Sequence, residues 1–237
     1  MHLDIDVEKQ LKTETGLQPL TCRLQVNAGE CLGIEGPSGA GKSSLLKMIT
    51  GLLRPDRGRI TAGADTWFDA SGKIDLPPGQ RSCGYLQQQP VLFPFLTLEQ
   101  NLLFARRDRE QAALYLQVLG LKNLKDHYPG HLSGGQLKRA ALAQLLVLAP
   151  RFLLLDEPFA SLDRDWVETL LDVLFHYAHT GSRTLVVVSH QPELLARLAD
   201  RIISLAPGGM KSMGFPNHFQ CRKSRYPSLY FSRPAGL

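Results

Sequence analysis

Gly36-Pro37-Ser38-Gly39-Ala40-Gly41-Lys42-Ser43 decides how this chain is read. The octet fits G-x-x-x-x-G-K-[ST], and its surroundings fit too. The apolar run at 30–36 reads as a short strand. Residues 42–50 read as a helix, with Leu45, Leu46 and Ile49 on one side and Gly51 and Pro55 to end it. Glycines let the backbone wrap closely, so that successive N–H groups point at phosphate oxygens. The helix N-terminus near Lys42 adds partial positive charge. Lys42 is expected to reach the β- and γ-phosphates, the Ser43 hydroxyl to hold Mg²⁺, and Ser44 to join the phosphate contacts. A chance glycine turn would not need both a strand before it and a helix after it.

Further along, Phe152-Leu-Leu-Leu is followed by Asp156 and Glu157. A buried strand that delivers carboxylates at its C-terminal end puts them where α/β sheets bind ligands. Asp156 is the expected Mg²⁺ carboxylate and Glu157 the expected general base. Around these anchors, 59–78 reads as short strands broken by turns, a small antiparallel patch. Residues 97–149 read as mostly helical, with breaks at Gly120 and at 128–135. A helix at 165–178, a strand at 184–189, a helix at 192–198 and a strand at 201–205 follow. The alternation predicts an α/β fold with a parallel sheet covered on both faces, into which a helical lobe of about 89–150 is inserted. The expected division is one domain, 1–214, and a basic tail, 215–237.

The formal charge of +5 lies in that tail: residues 201–237 carry six Lys and Arg and no acid, whereas residues 1–200 are nearly neutral. With no basic stripe on the body, nucleic acid is not an expected partner. No apolar run reaches the roughly 18–20 residues that cross a bilayer, and the first ten residues do not resemble a signal peptide. The expected location is therefore the cytoplasm, with membrane contact only through a partner. Cys22, Cys31, Cys83 and Cys221 are scattered without metal-site spacing and read as reduced thiols.

Between the two anchors lies Leu132-Ser133-Gly134-Gly135-Gln136, which resembles the signature sequence of ABC (ATP-binding cassette) ATPases, a class of P-loop NTPases. Ser133 is a good helix N-cap, and Gly134 and Gly135 expose N–H groups at a helix start, so a second anion site exists on the chain. The resemblance implies that Ser133, Gly134, Gly135 and Gln136 cap the γ-phosphate held by the loop of a second subunit. Gln88 in GYLQQQPVLFP resembles the glutamine that contacts Mg²⁺ and the water region. Ser161-Leu162-Asp163 resembles the loop that crosses the dimer interface, and His190 the histidine that bonds the γ-phosphate. It further implies a RecA-like core.

Two positions depart from the family pattern. No aromatic residue precedes the phosphate loop to stack on adenine, and Leu17 is the expected aliphatic substitute. Gln144 stands where arginine is usual. Residues 58–105 are similar to molybdate-import ATPases, whose usual C-terminal sensing domain would not fit within 215–237.

The resemblance implies a cofactor pair of ATP and Mg²⁺, a homodimer, transmembrane permease subunits and a substrate-binding protein. It implies ATP hydrolysis coupled to import, of molybdate or another oxyanion, from the inner face of the membrane. Phe93, Phe95 and Leu98 are expected to line a groove for a short permease helix. The competing expectation is an ABC ATPase acting on RNA, ribosomes or DNA, but such proteins usually have tandem cassettes or long inserted coiled coils, and neither is legible here.

Overall fold

The computed structural model describes residues 2–13, 16–179 and 183–214. The basic tail expected at 215–237 lies outside the described residues. One sheet of eleven strands organises them, in the order β6-β5-β4-β1-β2-β11-β10-β3-β9-β8-β7. Its parallel part holds β3 (Cys31–Glu35), β7 (Cys83–Leu86), β8 (Phe152–Asp156), β9 (Thr184–Val188) and β10 (Arg201–Ala206).

Alternate residues of the central strands enter two separate cores, as a sheet covered on both faces requires. Leu32, Ile34, Phe152, Leu154, Val186 and Val188 face α1 (Lys42–Thr50). Leu153, Leu155, Leu185 and Val187 face the remaining helices. These are α2 (Leu98–Ala105), α3 (Arg109–Val118), α4 (Gly134–Leu148), α5 (Arg164–His179) and α6 (Pro192–Leu198). Helices α2 to α4 occupy the stretch expected to be helical.

The antiparallel part is larger than the patch expected at 59–78. It begins with a hairpin of β1 (Leu3–Thr13) and β2 (Gly16–Val26), and β1 then pairs with β4 (Arg57–Ala62). Next come β5 (Asp65–Asp69) and the two-residue β6 (Ile74–Asp75). The hairpin had a signal in the sequence: Leu20, Cys22, Leu24 and Val26 alternate with exposed residues, and Leu3, Ile5 and Val7 match them on β1. β11 (Gly208–Gly214) connects the two parts, running antiparallel to β10 and parallel to β2.

A buried cation fastens the antiparallel part to α1. Arg81 donates from Nη1 to the carbonyls of Met48 and Ile49, both at 2.8 Å, and from Nε to Leu76 O. Its Nη2 lies 3.1 Å from Asp75 Oδ1. The last carbonyls of a helix have no intrahelical partner, and a cation there is favoured by the helix dipole.

Candidate functional site

The phosphate loop runs from the end of β3 to the first residue of α1, as the motif demands. At Gly36 the backbone has φ 146°, and a Cβ would run into the carbonyl of Leu205 on β10, so only glycine fits. Lys42 folds back over the loop, donating to Gly36 O at 2.7 Å and Pro37 O at 2.9 Å. Ala40 is buried beneath the loop.

An open cleft of about 730 Å³ lies over this turn, and Ser38, Gly39, Gly41, Lys42, Ser43 and Ser44 form one wall. Gln88, Asp156 and Glu157 form another, so three segments distant in sequence meet as expected. Leu11, Lys12, Gln18 and Pro207 complete the cleft; none of them was singled out from the sequence. Leu17, the expected aliphatic platform, is 69% exposed and is not part of the wall. Leu11 pairs with Gln18 across the hairpin, and both line the cleft; Lys12, the partner of Leu17, lines it too, whereas Leu17 itself does not. Leu11 also packs at Gly41, where a Cβ would stand 3.1 Å from Leu11 Cδ1.

Asp156, at the end of β8, is 2% exposed. Its Oδ2 accepts a hydrogen bond from the Tyr85 hydroxyl at 3.2 Å, while its buried Oδ1 has no protein partner. Burial and the nearby Asp156 charge both push the Tyr85 hydroxyl pKa up, so it stays a donor. An unpartnered carboxylate oxygen of Asp156 and the Ser43 hydroxyl, on residues that line one cleft over a phosphate-type loop, are a donor set that suits Mg²⁺.

Glu157 has φ 51°, a left-handed conformation that costs a non-glycine residue of order 1–3 kcal/mol. Two contacts hold it there. Its N–H donates to Val188 O at 3.0 Å, and its carbonyl accepts from Lys138 Nζ at 2.9 Å. Lys138 also donates to Ala160 O at 3.0 Å, which ties the first turns of α4 to the segment after β8. Burial lowers the Lys138 pKa, against the raising effect of Glu157 and Asp156. Glu157 Oε2 lies 2.9 Å from His190 Nδ1, and the imidazole is mostly exposed and is not among the residues that line the cleft.

The signature residues lie elsewhere. Ser133 caps α4 in a reciprocal box with Gln136: Gln136 N donates to Ser133 Oγ at 3.3 Å, and Ser133 N donates to Gln136 Oε1 at 2.9 Å. Gly134 and Gly135 follow in the first turn. A Cβ on Gly135 would stand 3.0 Å from Ser161 O, so the signature adjoins the Ser161-Leu162-Asp163 loop. None of these signature residues lines the cleft. Gln144, in the position where arginine was expected, donates from Nε2 to Asn101 O at 2.9 Å.

A loop between β7 and α2 presents Phe93 and Phe95, and Phe93 also packs edge-on against Phe104 of α2 at 4.6 Å between centroids. Buried Asn101 holds the loop. It accepts from Phe93 N at 2.8 Å and donates to the carbonyls of Phe93, Leu96 and Thr97. Leu98 is fully buried and belongs to the core, not to an exposed groove.

Comparison with known proteins identifies the family. Residues 20–160 match the family described as ABC transporter. The molybdenum import ATP-binding protein ModC of Brucella abortus is 39% identical over 191 residues, covering 78% of this chain and 53% of that protein. ModC of Rhodospirillum rubrum is 37% identical over 240 residues, covering 99% of this chain and 63% of that one. The chain thus spans between half and two thirds of the length of these relatives. The dimeric structure of a post-hydrolysis state of the ATP-binding cassette MJ0796 bound to ADP and Pi superposes with a TM-score of 0.79 at 29% identity, covering 92% of this chain and all of that one. With its phosphate loop, strand-end acids and signature helix in one sheet-based fold, this chain belongs to the ABC transporter family.

Proposed function

We propose that the chain binds MgATP in the cleft and hydrolyses it at the interface of two copies, as the ATPase subunit of an importer. The observation that carries this reading is the Glu157–His190 contact at 2.9 Å beside the phosphate loop. It joins an exposed imidazole to a carboxylate in the cleft wall, where a γ-phosphate and its attacking water would meet.

In this reading Lys42 exchanges its loop carbonyls for the β- and γ-phosphates. Glu157 accepts the proton of the attacking water, Gln88 orients that water, and His190 positions the carboxylate and bonds the γ-phosphate. Mg²⁺, when bound, neutralises charge on the phosphates, and Ser43 Oγ and Asp156 Oδ1 are the groups placed to hold it. Ser133, Gly134, Gly135 and Gln136, remote from their own cleft, serve the cleft of the second copy. Residues 1–214 act as one ATPase domain with a helical lobe at about 89–150, and 215–237 as a tail.

The exposed cluster of Phe93, Phe95 and Phe104, fixed by Asn101, is the surface we assign to the permease. Among the described residues no helix is long and apolar enough to cross a membrane, which fits a subunit held to the cytoplasmic face by that contact. Since several relatives are named as molybdenum importers, molybdate or a similar oxyanion is the proposed cargo, delivered by a substrate-binding protein. The purified chain should release phosphate from ATP only with a divalent ion present, and Lys42→Ala should abolish release. Turnover that survives Lys42→Ala would reject the reading.

A further inference from the structure

Tyr85 and Asp156 are 71 residues apart, and the sheet brings them together. Tyr85 on β7 stands opposite Leu154 on β8, so it shares a face with Leu154 and with Asp156, two residues on. Its ring packs against the core beneath α1, and that packing leaves the hydroxyl 3.2 Å from Asp156 Oδ2. An ionised carboxylate only accepts, so the tyrosine is the donor.

We propose that Tyr85 is a positioning residue for the divalent ion, selecting which oxygen of Asp156 is presented to it. The inference rests on the MgATP reading above. A carboxylate free to rotate offers either oxygen. With Oδ2 engaged by Tyr85, Oδ1 is the oxygen left without a partner. The same segment continues from Tyr85 to Gln88, which lines the cleft, so one stretch of chain sets both the carboxylate and the glutamine. A phenylalanine would fill the same space without the donor and leave the carboxylate unrestrained.

The test uses the full chain and two readouts that do not depend on turnover. Binding of a fluorescent ATP analogue is measured in EDTA and across a Mg²⁺ titration. Binding of Mn²⁺ is followed by electron paramagnetic resonance with a non-hydrolysable ATP analogue. Tyr85→Phe should leave affinity in EDTA unchanged, which also reports that it folds. It should raise the divalent half-saturation about tenfold, the size expected when a ligand loses its supporting hydrogen bond. Asp156→Asn should raise it at least as far, and adding Tyr85→Phe to that variant should change nothing more. Should Tyr85→Phe not fold, Tyr85→His carries the comparison: it keeps a ring N–H donor and should stay closer to wild type than Tyr85→Leu. An unchanged Tyr85→Phe titration overturns the inference alone. So does an effect that persists undiminished beside Asp156→Asn. A wild-type chain whose nucleotide binding ignores divalent ions overturns the MgATP reading, and this inference with it.

Discussion

His190 Nδ1 lies 2.9 Å from Glu157 Oε2, so a mostly exposed imidazole holds a carboxylate that is itself almost wholly enclosed. The backbone of Glu157 is locked by Val188 and Lys138, and the histidine fixes the remaining freedom of the side chain. The two residues therefore come together from the ends of adjacent parallel strands.

Glu157→Gln keeps the shape of this pair and removes the basic oxygen. It should bind MgATP within about twofold of wild type and lose at least a hundredfold in turnover, a typical share for a general base. It should also accumulate as an ATP-bound dimer on size exclusion. Near-normal phosphate release from that variant would show that the proton goes elsewhere.

Leu11 faces the cleft and Leu17 does not, which separates two otherwise similar hairpin leucines. Leu11→Trp should tighten ATP binding about fivefold, since stacking on an aromatic face contributes roughly 1–3 kcal/mol per base and part of that replaces the leucine contact. Leu17→Trp should leave affinity unchanged. Equal effects from both, read by equilibrium binding, would refute the assigned platform.

The contrast between those leucines also marks how far the sequence could be read. The phosphate loop, Asp156 and Glu157 were legible because each motif is contiguous and its chemistry dictates its neighbours. Leu11 was not, because its place depends on pairing with Gln18 across a hairpin whose alternation went unread. Tyr85 was missed for a related reason: its contact with Asp156 exists only because β7 is laid beside β8. Leu98 sat among apolar residues expected to line a surface groove, yet it is core. Composition cannot tell a docking face from an interior, whereas the Thr97 capping box and buried Asn101 show which way α2 turns.

Residues 133–136 lie outside the cleft of their own chain, so complementation between subunits should be observable. Lys42→Ala and Ser133→Arg chains are each expected to be inactive. Mixed, they form a dimer with both lesions in one site and none in the other. Activity should return to about a quarter of wild type if pairing is random and sites act independently. A tethered dimer with one intact site serves as the control. If that control is active and the mixture stays dead, each site is built within one chain.

Burial pushes the Cys83 thiol up to about 11 and Cys22 up to about 12, and holds Cys31 well above the ordinary range. Thiolate is the reactive form, and at pH 8 Cys83 would hold about one part in a thousand of it. In a Cys221→Ser chain, Ellman's reagent at pH 8 should label these thiols slowly until urea is added, and then all three rapidly. The sign of the linkage follows from the raised values. The stabilisation is fully present below the unfolded thiol range near pH 9. It is lost as pH climbs towards 11, because the unfolded chain sheds protons that the folded one keeps. Rapid native labelling of two or more thiols would contradict the burial.

Helix α4 is pinned along its length. Lys138 grips the carbonyls of Glu157 and Ala160, and Gln144, about 9 Å further along the axis, grips Asn101, whose side chain carries the Phe93 loop. Both grips belong to one continuous helix. A shift of the backbone at Glu157 would thus be felt, through one helix, at the loop that carries Phe93 and Phe95.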